Sequence, residues 1–133
     1  MMFNAVWFSR HAPTEEQLAE IEEMCYQLID IPSGMGLGSR SINSDNDLAD
    51  MVKSIRVLVE RGGARAIFGV FPAPLQWMLV EGVYYSHVGN NLVTDGVGCY
   101  ASWNVSRMVE GGKPSFTHKR FVSVGTFTSQ LKL

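Results

Sequence analysis

The sequence predicts an α/β domain: a small Rossmann-like sheet flanked by helices, with a C-terminal β-hairpin extension. Three observations carry this expectation. Phe3 to Phe8 and Ala66 to Phe71 are nearly continuous apolar runs, as strands covered on both faces require. Each is followed by an elbow and then by apolar residues at helical spacing, so strand, elbow and helix occur twice. Toward the C-terminus, two strand-like runs follow one another with no helical pattern between them.

In chain order, Phe3 to Phe8 is expected as a central strand. Thr14 is placed as a helix N-cap, with Gln17 three residues later to complete a capping box and Glu15 and Glu16 suited to the positive end of the helix dipole. Leu18, Ile21, Met24, Cys25 and Leu28 form the apolar stripe of a helix running to about Tyr26, with Glu20, Glu22 and Glu23 left to solvent and Cys25 a small core residue. Leu28 to Ile31 reads as a short strand ended by Pro32. Ser33 to Ser44, with Gly34, Gly36, Gly38 and Arg40 among serines, reads as a mobile loop whose backbone can approach a ligand; its glycines lack the strand-to-helix placement of a phosphate loop. The clearest helix starts at Asp45 or Asp47, carries Leu48, Met51, Val52, Ile55, Leu58 and Val59 on one stripe, and stops at Gly62-Gly63.

Ala66 to Phe71 is the second buried strand, and Pro74 opens the next helix, with Leu75, Met78 and Leu79 inward. Parallel pairing would bring Phe71 and Pro72 beside Ser9 to His11, so that two strand ends share one crevice. Val83 to Val88 is strand-like, and Gly89-Asn90-Asn91 is a turn signal. Tyr100 to Val109 and Ser115 to Val124 form a hairpin around Gly111-Gly112-Lys113-Pro114. Trp103, Val105, Arg107 and Val109 share one side of its first strand, and Phe116, His118, Arg120, Val122 and Val124 alternate along its second. The chain is thus expected as a single domain, core about 1–98 and hairpin arm about 99–133.

Composition narrows the function classes. A net charge of −2 lacks the field of a protein that holds a long phosphate backbone, although a small phosphorylated ligand remains compatible with it. Ten of the thirteen acids lie at or before Glu60, whereas from Tyr100 onward five Lys/Arg face only Glu110, so the C-terminal third is locally basic. Cys25 and Cys99 do not suggest a disulfide framework and have no metal-ligand spacing, and no apolar run reaches the roughly 18 residues of a membrane span. No cofactor is implied, and the expected location is the cytoplasm.

Arg10 and His11 lead the candidate binding residues. A guanidinium can fork two phosphate oxygens, and an imidazole can donate, accept or transfer a proton near neutral pH. Their bland alternative is a surface Arg and a His that fix the elbow. Ser9 has no nucleophile motif around it, so hydrolysis would need a ligand that supplies its own attacking hydroxyl. Arg107, Lys119 and Arg120 form a second cationic group, set against the reading of a solvated hairpin edge. Tyr84, Tyr85, Trp103 and Phe116 read as core or interface aromatics that gain importance if a base stacks on them. His87 and His118 read as structural.

Trp7-Phe8-Ser9-Arg10-His11-Ala12-Pro13-Thr14 through Gln17, with Gly69-Val70-Phe71-Pro72, resembles the small Rossmann-like CRISPR ring nucleases over residues 3 to 80. That resemblance implies cleavage of cyclic oligoadenylate at Ser9, Arg10 and His11. Trp103-Asn104-Val105-Ser106-Arg107, followed by Glu110-Gly111-Gly112-Lys113-Pro114 and Phe116, resembles the Thoeris anti-defence sponge family of phages over nearly the whole chain. This second resemblance implies sequestration of a cyclic ADP-ribose-type immune signal without cleavage, in a homo-oligomer, dimer or higher, with pockets at subunit interfaces. The implied pocket contains Arg107, an aromatic from Tyr84 or Tyr85, Asn90 or Asn91, and Arg120, beside Trp103, Arg10 and His11. The basic, aromatic hairpin favours the sponge, because a minimal ring nuclease has no need of it; the bland third reading is a non-catalytic structural or protein-interaction domain whose hairpin makes a dimer.

Overall fold

The computed structural model describes residues 1–81, 97–108, 111–112 and 114–126. It is an α/β fold of the order β1 (Phe3–Phe8), α1 (Glu15–Glu23), β2 (Tyr26–Ile29), α2 (Ile31–Gly38), α3 (Asp45–Gly62), β3 (Ala66–Gly69), α4 (Ala73–Glu81), β4 (Gly98–Met108) and β5 (Pro114–Thr126). The five strands form one sheet in the order β2-β1-β3-β4-β5. β1 pairs in parallel with β2 and β3, β3 in parallel with β4, and only β5 runs antiparallel. The chain therefore reverses direction across the sheet between β1 and β3, the switch point at which open α/β sheets place their ligands.

Two apolar layers explain why β1 and β3 are apolar throughout. On one face Trp7, Phe68 and Phe121 pack with Ile21 of α1; on the other, Val6, Phe8 and Ile67 pack with Met51 and Ile55 of α3 and with Leu75, Met78 and Leu79 of α4. The hairpin is continuous with this sheet, because Gly98 to Ala101 pair with Ala66 to Gly69. Val83 to Val88 and the Gly89-Asn90-Asn91 turn lie outside the described residues.

Three expectations are corrected. Helix α1 ends at Glu23 and Tyr26 already belongs to β2; Cys25 turns the chain at φ 71° and is exposed rather than core. The buried face of α1 is Gln17 and Ile21, while Leu18 is exposed. The segment expected as a glycine loop is helical from Ile31 to Gly38, with Pro32 in its first turn instead of merely ending a strand.

The glycines of α2 explain its position. A methyl group at Gly34 would overlap the Trp7 carbonyl, and one at Gly38 would overlap the backbone of Ser9 and Arg10. Spaced four apart, they lie on one helical face and let α2 press against the end of β1. Gly36 points elsewhere and would meet nothing within 4 Å.

Two irregularities in β5 also alter the expected alternation. A register shift falls between Trp103 and Asn104, which pair with Arg120 and His118, leaving Lys119 as the extra residue of a β-bulge. His118 then faces α1 and packs on Phe121, whereas Arg120 turns to Trp103. These two residues do not share a face.

Candidate functional site

The elbow after β1 is held from several directions. The Trp7 indole N–H donates to the His11 carbonyl at 2.8 Å, and the His11 backbone N–H donates to Ser9 Oγ at 3.2 Å. Thr14 and Gln17 close the expected capping box: the Gln17 N–H donates to Thr14 Oγ1 at 3.1 Å, and the Thr14 N–H donates to Gln17 Oε1 at 2.9 Å. The Gln17 N–H of the first helical turn is thus capped by Thr14.

Beyond the strand ends, the Val70 N–H donates to the Phe8 carbonyl at 2.9 Å and the rings of Phe8 and Phe71 stack at 5.6 Å. Gly69 permits this closeness, since a side chain there would overlap the Phe8 carbonyl. The result is a crevice of about 310 Å³ whose wall includes Ser9, Arg10, His11, Gly38, Arg40 and Pro72. The expected meeting of the two strand ends is observed.

Its electrostatics are one-sided. Arg10, His11 and Arg40 are exposed, and no carboxylate is among the described lining. Arg10 Nε donates to His11 Nε2 at 3.4 Å. Ser9 is only 6% exposed, and its oxygen is occupied by the His11 N–H. Arg40 also lines a neighbouring cavity of about 400 Å³ at the start of α3, where Ser44 caps the helix by accepting from the Asp47 N–H. Arg40 was not among the expected site residues. The four-residue spacing of Gly34 and Gly38 was the available signal, because it marks one close-packed helical face and so brings the following arginine to the end of β1.

The remaining expected residues are distributed differently. Trp103 is 42% exposed on β4, with Lys119 Nζ 4.7 Å and the Arg120 guanidinium 5.4 Å from its ring centre. The Lys119 bulge creates this cluster. Arg107 pairs with Ser115 in the hairpin register, and its side chain is outside the described set; Tyr84, Tyr85, Asn90 and Asn91 lie wholly outside it. Trp103 and Arg120 do not line the strand-end crevice.

A second polar assembly was hidden from the sequence. His118 Nε2 lies 2.8 Å from Glu20 Oε1, its Nδ1 lies 2.6 Å from Ser102 Oγ, and Glu20 Oε2 accepts the Phe121 N–H at 2.7 Å. Glu20, expected at the solvent side of α1, instead ties that helix to β5. This is the order of a serine nucleophile relay, but neither Ser102 nor His118 lines any of the cavities described, and its evident work is tethering. Among the described residues no group of three or more His, Cys, Asp or Glu is placed to hold a metal ion, and no helix is long and apolar enough to cross a membrane.

No family model, curated protein or solved structure matches this chain.

Proposed function

We propose that this chain is a binding protein for a small phosphorylated nucleotide-type ligand, held at the switch-point crevice and not turned over. The observation that carries the reading is the convergence of Arg10, His11 and Arg40 on one crevice whose described lining has no carboxylate. Two guanidinium groups supply charge-assisted hydrogen bonds to phosphate oxygens, and the His11 imidazole offers a further donor. Ser9 is buried and engaged, which argues against its use as a nucleophile. Following the resemblance carried by Trp103 to Phe116, the ligand is a cyclic ADP-ribose-type signal, and the protein acts as an anti-defence sponge. The exposed Trp103 and Val105, flanked by Lys119 and Arg120, would be covered by a second copy in the homo-oligomer that this reading entails.

Cleavage of a cyclic oligoadenylate is the second reading, favoured by the exposed His11 imidazole in the crevice. The test is to incubate the protein with cyclic ADP-ribose isomers and with cyclic oligoadenylates, denature it, and identify what is released. Stoichiometric recovery of intact ligand, lost in Arg40→Ala, is the expected result. Linear products at turnover, lost in His11→Ala, would replace the sponge with the nuclease. Absence of capture and turnover across the panel would overturn both.

A further inference from the structure

Arg40 belongs to more than the strand-end crevice. It also lines a cavity of about 430 Å³ between α2 and α3, whose wall includes Ser33, Leu37, Ser54, Val57 and Arg61. The lining follows matched helical spacings: 33, 36, 37 and 40 along α2 and its end, and 54, 57, 58 and 61 along α3. Two facing helical stripes therefore flank an open groove. Leu37, Val57 and Leu58 make its apolar part, and Ser33 and Ser54 contribute hydroxyls.

Val57 is 53% exposed, an apolar side chain on the outer surface of α3 that the core does not use. The Arg61 guanidinium meets Asp30 at 3.7 Å, with the two side chains 63% and 48% exposed. Such a pair is worth little and yields readily to another partner. The cavity thus offers an apolar wall, hydroxyl groups and donors, with Arg40 shared with the crevice next door. An apolar wall beside a few polar groups can seat a small molecule, and the volume falls in the usual range for such sites.

We infer that the α2–α3 groove is the second half of the ligand site: it takes the nucleoside portion of a nucleoside phosphate whose phosphate lies among Arg10, His11 and Arg40. This inference rests on the anion-site reading above and deepens it by naming the ligand class. The heterocycle lies against Leu37, Val57 and Leu58, and the serine hydroxyls and Arg61 meet its polar edge and the ribose. Arg40, at the junction, holds the phosphate next to the sugar.

Gly36 provides the test. It lies in the groove wall, a Cβ there meets nothing within 4 Å, and methionine is the better helix former, so Gly36→Met is compatible with the α2 backbone and extends its side chain from the groove wall. Calorimetric titration of AMP, ribose 5-phosphate and inorganic phosphate is made into the wild type, Gly36→Met and Arg40→Ala. A base seated against Leu37, Val57 and Leu58 leaves water, so the wild type should bind AMP roughly tenfold tighter than ribose 5-phosphate, a difference of about 1.4 kcal/mol. Gly36→Met should erase that advantage while leaving inorganic phosphate unchanged, and Arg40→Ala should weaken all of them. Equal affinity of the wild type for AMP and ribose 5-phosphate, or an undiminished AMP advantage in a folded Gly36→Met, overturns the inference while leaving the anion site standing. Failure of all three probes to bind the wild type at millimolar concentration overturns the anion site and this inference together.

Discussion

The close approach of α2 to β1 makes a sharp prediction about two glycines in one helix. Alanine at Gly34 brings its methyl group into the Trp7 carbonyl, with the carbonyl carbon 2.8 Å away, and a backbone atom cannot swing aside as a side chain would. Relief requires α2 to retreat by on the order of 1–2 Å, and overpacking of this kind costs about 1–3 kcal/mol, occasionally more. Alanine at Gly36 meets nothing within 4 Å and gains only its helix propensity, about 1 kcal/mol. Because both substitutions receive the same propensity gain, the difference between them isolates the overlap. Gly36→Ala should raise stability by up to about 1 kcal/mol, and Gly34→Ala should lower it by up to about 2 kcal/mol net. Urea unfolding of the two variants and the wild type, compared by midpoint at a common slope, measures this directly. Coincident midpoints for the two alanine variants would refute the claim that glycine is needed for close packing. The retreat of α2 also carries Gly38 and Arg40 away from the crevice, so Gly34→Ala should weaken phosphate binding as well.

Other consequences follow from buried polar and titratable groups. Burial pushes the Cys99 thiol up from 9.0 to about 12. The unfolded chain therefore loses this proton first, and stability should fall by up to about 1.4 kcal/mol per pH unit above pH 9 until the folded thiol ionises. Cys99→Ala should flatten that part of the pH–stability curve, and an unchanged slope would count against the assignment. At pH 8, the exposed Cys25 should react with a thiol reagent in seconds to minutes while Cys99 reacts only on unfolding; two fast equivalents would contradict the burial of Cys99. Glu20→Ala leaves both His118 Nε2 and the Phe121 N–H without their acceptor and should cost about 1–3 kcal/mol by denaturant titration, against near neutrality for Glu22→Ala. Lys119→Ala removes a cation from an exposed indole, so it should shift Trp103 fluorescence while changing stability by no more than about 1 kcal/mol; a larger loss would mean that the cluster bears on the core.

The sequence by itself determined the elements whose signals are local. The apolar run of β1, the Thr14–Gln17 box, the Leu48 to Val59 stripe and the turn at Gly63 each stand where the spacing places them, whereas β3 ends at Gly69, two residues before the expected Phe71, with Val70 exposed. The joining of Ser9 to His11 with Pro72 was legible too, because parallel strands of one sheet must end side by side. Tertiary structure decided what depends on distant partners. Gly34 and Gly38 spell a loop by propensity and form a helix because only residues without side chains fit against the backbone of β1. Glu20 looks like a solvent-facing residue of α1 until Phe121 and His118, about a hundred positions away, claim both its oxygens. The Lys119 bulge breaks strict alternation and gathers Lys119 and Arg120 at Trp103, an arrangement that no period of two predicts. The crevice cation at Arg40 likewise depends on a distant partner: it lies thirty residues from Arg10 in the chain and reaches the same opening because the glycine face of α2 seats against the end of β1.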